Sequence, residues 1–108
     1  HPVSGHVHDK AKIIKIEKSE NNKTLAFSCD RKWMKYIFSK GLIAIDGISL
    51  TVVDVEKNKE VFTVCLIPET LRITTLGFKK QGDFVNMEID QQTRTIVDTV
   101  EATLKDRQ

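Results

Sequence analysis

The sequence has little of several features that define common protein classes. It has two cysteines, Cys29 and Cys65, far apart and without Cys-x-x-Cys spacing or a Cys/His array. Neither a disulfide scaffold nor a structural zinc site is therefore indicated. We expect a cytoplasmic protein whose thiols are reduced.

An excess of charge of one sign is also missing. The chain has 17 Lys and Arg against 15 Asp and Glu, a formal net charge of +2, with both signs interspersed. This balance argues against a dedicated nucleic-acid surface. No apolar run approaches the roughly 18 residues that span a bilayer, and the opening HPVSGHVHDK does not resemble a signal peptide. We expect neither nucleic acid nor membrane as a partner.

The length fits one domain. With 108 residues and 40% hydrophobic content, the chain can form a core without a covalent or metal cross-link. It contains no internal repeat, low-complexity tract or linker. It starts at His1 instead of Met, which predicts either a processed protein or a piece of a longer reading frame.

Alternating polar and apolar residues are the main structural signal. Four segments alternate in the way typical of strands: Lys10 to Lys18, Lys23 to Cys29, Val61 to Ile67 and Phe84 to Asp90. Both faces of the Val61 segment are apolar, so we expect that strand to be covered on both sides. A further β-rich stretch, Leu42 to Glu56, is interrupted by Gly47, which predicts two strands or one bent strand.

Helical signals are shorter, apart from the last one. Short helices are predicted from Arg31 to Phe38 and in a turn begun by Pro68. Gln91 to Arg107 lacks Gly and Pro and forms a longer helix. Its apolar residues fall on one narrow stripe, which indicates self-association: Ile96, Val97, Val100 and Leu104. About six short strands with little helix between them predict an all-β closed barrel over residues 1–90, followed by an oligomerisation helix over residues 91–108.

Histidines open the list of candidate site residues. His1, His6 and His8 lack a carboxylate or thiol cluster at ligand spacing, so no metal site is predicted. His6 stands out because the neighbouring Gly5 lets a ligand approach the backbone.

Two hydroxyls form a second candidate. Ser49 and Thr51 project to one side of an extended chain, and the apolar residues around them project to the other. Either the hydroxyls bind a partner, or they lie on the solvent face of a half-buried strand. Taken alone, Lys40 is a surface lysine and Asp46, before a glycine, is a turn residue.

The segment Ile67-Pro68-Glu69-Thr70 is a strand end that turns into a helical turn. The backbone N–H groups of such a turn can bind the carbonyl oxygens of a planar heterocycle, although the turn can equally be a simple connection. Asp90 precedes the last helix and is a favoured N-cap residue. Trp33 and Tyr36 are three residues apart, and we expect them to pack against the barrel.

Four ordered motifs resemble the riboflavin synthase family. They are SGHV, YIFSKGLIAIDGISLTV, LIPETLRITTLG and KKQGDFVNMEID. The resemblance covers nearly the whole chain and is to the second of the family's two homologous barrels. It implies a six-stranded Greek-key closed barrel with short helices and a C-terminal α-helix.

The resemblance also implies an activity. Family members condense two molecules of 6,7-dimethyl-8-ribityllumazine into riboflavin and 5-amino-6-ribitylaminopyrimidinedione, with no metal or organic cofactor. Each barrel binds one lumazine, and the active site lies between this barrel and the N-terminal barrel of a neighbouring subunit. The last helix helps to assemble a homotrimer.

Residue roles follow from the same resemblance. The catalytic positions are His6, Lys40, Asp46, Ser49 and Asp90. His6 is the first choice for proton transfer. The substrate-binding positions are Gly5, His6, Val7, Lys40, Ser49, Leu50, Thr51, Cys65, Leu66, Ile67, Pro68, Glu69 and Thr70.

Two departures and two alternatives accompany this assignment. His8 stands where many family members have aspartate, and the family's first barrel is absent, so we expect this chain by itself to be weakly active or inactive. One alternative is a non-catalytic carrier of lumazine or flavin with the same fold. Another is a nucleic-acid-binding small barrel, which requires a basic face with exposed aromatic residues. The polar set that includes Lys40 and Asp46 favours the enzyme.

Overall fold

A closed antiparallel barrel forms the body of the protein. The computed structural model describes residues 8–73 and 75–107. Within these ranges the strands are β1 (Asp9–Lys18), β2 (Lys23–Ser28), β3 (Leu42–Ile45), β4 (Ile48–Glu56), β5 (Val61–Leu66) and β6 (Phe84–Ile89). Their order around the barrel is β1-β2-β5-β4-β3-β6, and β6 pairs with β1 to close it. The predicted all-β, six-stranded closed barrel is confirmed.

Short helices connect the strands, and a long helix follows them. The α-helices are α1 (Pro68–Ile73) and α2 (Gln91–Asp106), and 3₁₀ helices span Arg31–Tyr36, Lys57–Lys59 and Thr75–Phe78. The first 3₁₀ helix is shorter than predicted because Ile37 is already extended, with φ −109° and ψ 118°. None of the helices in the described ranges is both long and apolar enough to cross a membrane.

Inward side chains from every strand fill the barrel. Those that are fully buried include Ile13, Leu25, Phe27, Ile43, Ile45, Val52, Phe62, Val64, Leu66 and Met87. The rings of Phe27 and Phe62 stack with centroids 5.2 Å apart. Interiors packed in this way leave no space for a bicyclic ligand, as in other small barrels whose inward side chains fill the interior. A ligand of that size has to bind on the outer surface.

One expectation about β5 is wrong. Phe62, Val64 and Leu66 are buried, but Cys65 is exposed and Ile67, just after the strand, is 55% exposed. The strand is therefore covered on its inner face only, as is common in antiparallel sheets. Its apolar outer residues are accessible to a ligand.

The Leu42 to Glu56 stretch forms two strands joined by a tight turn. Ile45 pairs with Ile48, so Asp46 and Gly47 form a two-residue connection. Their φ angles are 49° and 81°, as a type I′ hairpin turn requires. The Asp46 N–H donates to the Asn86 carbonyl (2.9 Å), and the Asn86 N–H donates to Asp46 Oδ1 (2.7 Å). These bonds attach the turn to β6.

The closing helix begins as predicted. Asp90 is its N-cap, and Asp90 Oδ2 accepts hydrogen bonds from the Thr93 N–H (3.1 Å) and the Thr93 hydroxyl (2.7 Å). Of the predicted apolar stripe, Val97 packs against the core. The rest of the stripe is exposed: Ile96, Val100 and Leu104.

Trp33 and Tyr36 are buried, so the prediction that they pack against the barrel is confirmed. The indole N–H of Trp33 donates to Asp9 Oδ2 at 2.9 Å, which joins the first 3₁₀ helix to β1. The guanidinium of Arg94, on α2, lies 5.5 Å from the Trp33 ring and 5.8 Å from the Tyr36 ring. The two aromatic residues therefore connect the barrel to α2.

Candidate functional site

The assigned residues of β4 and β5 come together on the outer surface where β4 changes its pairing partner. The first half of β4 pairs with β3, with Thr51 opposite Leu42. Its second half pairs with β5, and among the described residues this ladder ends at Val52 and Val64. Thr51 and Cys65 lie one residue beyond that last pair. We call this region the β4–β5 cleft and define it by Ser49–Thr51 and Cys65–Thr70.

The outer faces of both strands supply the side chains of the cleft. Ser49 is half-buried, and Thr51 and Cys65 are exposed. The hydroxyls of Ser49 and Thr51 therefore lie on the outer face of a half-buried strand. This is the second of the two alternatives that the sequence left open. The side chains of Leu50 and Leu66 point into the core, where they are 9% and 0% exposed. Their backbones pair with Ile43 of β3 and Lys23 of β2.

The segment after β5 borders the cleft. Ile67 and Pro68 are exposed, Glu69 is exposed and Thr70 is half-buried. β5 ends at Leu66 and α1 begins at Pro68, so the first residues of the helix follow Cys65 closely along the chain. Because ladder pairing has ended here, backbone groups of this segment can serve a planar ligand with N–H and C=O groups.

Lys40 lies at one end of the cleft. Its N–H donates to the Val52 carbonyl at 2.8 Å, and the Val52 N–H donates to the Gly41 carbonyl at 2.9 Å. The left-handed backbone of Lys40 (φ 68°) makes the tight bend. A Cβ at Gly41 would lie 2.9 Å from the Phe38 carbonyl oxygen, so this position requires glycine. The bend places Lys40, whose side chain is exposed, next to Val52 of β4.

Asp90 lies two strands away from Thr51. It follows Ile89, which pairs with Ile43, and the neighbouring Leu42 pairs with Thr51. Two strand spacings amount to about 10 Å. The Asp90 carboxylate also caps α2, so its position is set by the helix that follows.

Asp46 is separated from the cleft residues. Lys40 precedes β3 and Asp46 follows it, and a strand of four residues spans about 13 Å. The Asp46 carboxylate is held by the Asn86 N–H and lies 4.0 Å from Lys79 Nζ. The structure therefore places Asp46 in the turn and does not bring it together with Lys40 in one barrel.

Gly5, His6 and Val7 lie outside the described residues. His8 is the first residue that is described. Its N–H donates to the Met87 carbonyl (2.9 Å), and its Nδ1 accepts from the Ile89 N–H (2.8 Å). These bonds attach the start of β1 to β6 beside Ile89.

An apolar rim around the cleft was not among the predicted site residues. Its members are exposed hydrophobic side chains on the outer surface: Leu42 (38%), Val53 (46%) and Ile67 (55%). Of these residues, the sequence predicts only Ile67 as a substrate-binding position. Outward positions in alternating strands were the available signal, but an isolated exposed apolar residue is common on any protein. Their grouping around one cleft is visible only in three dimensions.

The chemistry available in the described residues is that of hydroxyls, a thiol, backbone groups and an amine. Both cysteines are free. Burial raises the pKa of Cys29 to about 12, so this thiol is not a nucleophile at neutral pH. Cys65 is exposed in the cleft. Among these residues, no group of three or more His, Cys, Asp or Glu side chains is arranged to hold a metal ion.

The family model of the lumazine-binding domain matches residues 4–90, which include all the strands described above and the cleft. The chain belongs to the lumazine-binding domain family. The resemblance predicted from the four motifs is thereby confirmed.

Curated relatives of this lumazine-binding domain are named riboflavin synthase. The chain is 53% identical to riboflavin synthase of Escherichia coli (strain K12) over 100% of its own length and 50% of that protein. It is 51% identical to riboflavin synthase of Buchnera aphidicola subsp. Schizaphis graminum (strain Sg) over 97% of its length and 50% of that protein. The chain thus spans about half the length of the curated relatives it matches.

Solved structures share the fold. LumP complexed with 6,7-dimethyl-8-(1'-D-ribityl) lumazine has a TM-score of 0.74 at 22% identity and covers 82% of this chain and 48% of its own. LumP complexed with flavin mononucleotide has a TM-score of 0.78 at 19% identity and covers 83% of this chain and 50% of its own.

Proposed function

We propose that this lumazine-binding domain is one barrel of a riboflavin synthase and supplies one of its substrate pockets. The reaction is the dismutation of two 6,7-dimethyl-8-ribityllumazine molecules to riboflavin and 5-amino-6-ribitylaminopyrimidinedione. The β4–β5 cleft is the observation that carries the proposal, because the assigned residues Ser49, Thr51 and Cys65 meet there on an accessible surface. The names of the relatives support the same reaction.

The cleft fits a planar ring with polar edges. Backbone groups beyond the last β4–β5 pair can bind ring N–H and C=O groups, and the Thr51 hydroxyl can donate or accept. The apolar rim can cover the ring faces: Leu42, Val53 and Ile67 are each more than one third exposed. Burial of this apolar area by the ligand contributes to its affinity.

The reaction requires few catalytic groups. The methyl on C7 of lumazine is acidic because its carbanion delocalises into the ring, so a modest base and the positioning of two substrates supply much of the rate. We assign proton transfer to His6 and polar support to Ser49, Lys40 and Asp90. The hydrogen bonds between Asp46 and Asn86 favour a positioning role for Asp46, which holds the β3–β4 turn.

A second barrel completes the active site in this proposal. The relatives are about twice as long as this chain, and the N-terminal barrel of a neighbouring subunit would carry the second lumazine. The exposed stripe on α2 supports assembly into a homotrimer. The strand order supports the Greek-key class, because β3, β4 and β5 are neighbours in sequence while β2 returns beside β5. The two free thiols support a cytoplasmic location.

A non-catalytic lumazine or flavin carrier is the second candidate. The solved LumP complexes with a lumazine, with riboflavin and with flavin mononucleotide favour it, because they share this fold. A carrier needs the cleft and its rim but not a base.

Two measurements test the proposal. The 108-residue chain is titrated with 6,7-dimethyl-8-ribityllumazine and followed by ligand fluorescence, and we expect saturable binding of one ligand per chain. Riboflavin formation is then measured for this barrel joined to an N-terminal barrel, and we expect turnover well above that of the single barrel. A chain that does not bind lumazine contradicts both candidates. A two-barrel protein that binds tightly but forms no riboflavin overturns the enzyme and supports the carrier.

A further inference from the structure

A cavity lies at one end of the barrel, between the β1–β2 turn and the segment after α1. Its volume is about 380 Å³, within the range of small-molecule sites. Its walls include Lys18, Asn21, Asn22, Lys23, Pro68 and Phe78. Pro68 also borders the β4–β5 cleft, but the other walls come from the opposite side of β5.

Lys23 makes this cavity chemically distinctive. It pairs with Leu66 and is 8% exposed, on the inward face of β2 shared by Leu25 and Phe27. Fully buried lysines are rare unless they are paired. Among the described residues, its ammonium makes one hydrogen bond, to the Gly77 carbonyl oxygen, and this bond is 3.5 Å long. An ammonium has three donors, so Lys23 retains donor capacity beside the cavity that it lines.

The other walls suit an anion attached to a small apolar group. Lys18 adds a second positive charge, against a single acidic wall residue, the exposed Glu20. The side-chain amides of Asn21 and Asn22 offer N–H donors. The Phe78 ring is 83% exposed at the rim and can stack on a ring or cover an aliphatic chain.

We propose that this cavity, the Lys23 pocket, binds the phosphate or carboxylate group of a small organic anion, with Lys23 as its buried counter-ion. The ligand would convert one long hydrogen bond of the ammonium into short, charge-assisted ones. The site is separate from the β4–β5 cleft and does not depend on the function proposed for that cleft.

Inorganic phosphate is the first probe. The ¹⁵N-labelled chain is titrated and followed by ¹H–¹⁵N correlation spectra, and we expect saturable shifts confined to the amides of Asn21, Asn22, Gly77 and their neighbours. Lys23→Met keeps the apolar stem and should weaken binding at least about tenfold, since a hydrogen bond to a charged group is lost. Lys12→Met removes an exposed lysine from the outer face of β1 and should leave the affinity unchanged.

Phenyl phosphate and benzoate are the second pair of probes, and they separate the phosphate from the carboxylate source. Each probe should bind more tightly than the corresponding anion that lacks the phenyl ring. Phe78→Ala should remove this gain in affinity. The matched control is Phe84→Ala, at a second exposed phenylalanine, and it should leave this gain in affinity unchanged.

Several results overturn the proposal. One is the absence of saturable shifts in the unsubstituted chain, which needs no variant and holds even if Lys23→Met fails to fold. Another is a set of shifts that follows exposed lysines in general, which indicates adventitious surface binding only. A third is a Lys23→Arg variant that loses binding while it stays folded, because Arg retains the charge. Equal loss of phosphate and lumazine affinity in Lys23→Met would make the pocket part of the cleft and contradict a separate site.

Discussion

The phenol of Tyr36 donates a hydrogen bond to the carboxylate of Asp98, with Oη and Oδ1 2.5 Å apart. This bond joins the Arg31–Tyr36 3₁₀ helix to α2 across 62 residues of sequence. An ion pair between Lys35 and Glu101 (2.8 Å) lies beside it, but both partners are about half exposed. Exposed ion pairs contribute little to stability. The position of α2 against the barrel therefore depends more on Tyr36 than on Lys35.

Tyr36→Phe should lower the free energy of unfolding by about 1 kcal/mol, the usual net contribution of one hydrogen bond. Urea denaturation followed by tryptophan fluorescence measures this, since Trp33 lies beside Tyr36 with ring centroids 6.2 Å apart. Lys35→Met is the matched control and should have an effect below about 0.5 kcal/mol. A larger effect of the control would show that the ion pair is the main link to α2.

The contribution of Tyr36 should depend on pH in the alkaline range. Its hydrogen bond to Asp98 and, secondly, its burial raise the pKa of the phenol above its ordinary value of about 10. Because the folded protein holds this proton more tightly, the stabilisation is fully present below pH 10 and is lost as the pH rises through the folded pKa. The stability curves of the unsubstituted chain and Tyr36→Phe should converge there. Parallel curves up to pH 11.5 would contradict the coupling.

The two thiols should differ strongly in reactivity. The pKa of Cys29 is raised to about 12 by burial, whereas Cys65 is exposed in the β4–β5 cleft. At pH 8 one thiol per chain should react rapidly with Ellman's reagent, and the second only after unfolding. Cys65→Ser should abolish the fast phase, and saturating lumazine should slow it. A fast phase that lumazine leaves unchanged would argue against a ligand beside Cys65.

The Thr51 hydroxyl should matter for binding but not for folding. Thr51→Val keeps the β-branched shape on an exposed strand position, so stability should change by less than about 0.5 kcal/mol. Lumazine affinity should fall about tenfold, which corresponds to the loss of roughly 1.4 kcal/mol for one hydrogen bond. Thr99→Val, on the exposed surface of α2, is the matched control. Titration by fluorescence measures both, and equal affinities for the two variants would place lumazine elsewhere.

Self-association should depend on the exposed stripe of α2. Val100 is 52% exposed on that stripe, and Val100→Asp places a charge where an apolar contact is proposed. We expect sedimentation velocity to show a smaller species than for the unsubstituted chain. Thr99→Asp introduces the same charge one residue away and should leave the association state unchanged. If all three proteins sediment as monomers, the stripe does not mediate association in this chain.

Local features of this protein were readable from its residues. The alternation in Phe84 to Asp90 indicates which side chains face the core, and Val85, Met87 and Ile89 are each buried. Asp46 before Gly47 predicts a turn, because few other residue pairs adopt two successive left-handed conformations. Asp90 before a helical stretch predicts a cap. Each of these depends on interactions within a few residues of the same segment.

The site itself required the tertiary structure. The motifs supplied Thr51 and Cys65 as members of one set, but their meeting depends on where the pairing of β4 with β5 ends, at Val52 and Val64. The separation of Asp46 from Lys40 likewise follows from the length of β3 and its pairing with β6.

The sequence by itself indicated the strand segments, the cap of the last helix and the family, but it left open whether Leu42 to Glu56 is one bent strand or two strands. The tertiary structure decided the order β1-β2-β5-β4-β3-β6, the open outer face of β5 and the position of the cleft. The physical reason is the sequence distance over which the interactions act. Side-chain alternation and turn preferences act between neighbours in the chain. The register between distant strands is set when the whole barrel closes around one packed interior.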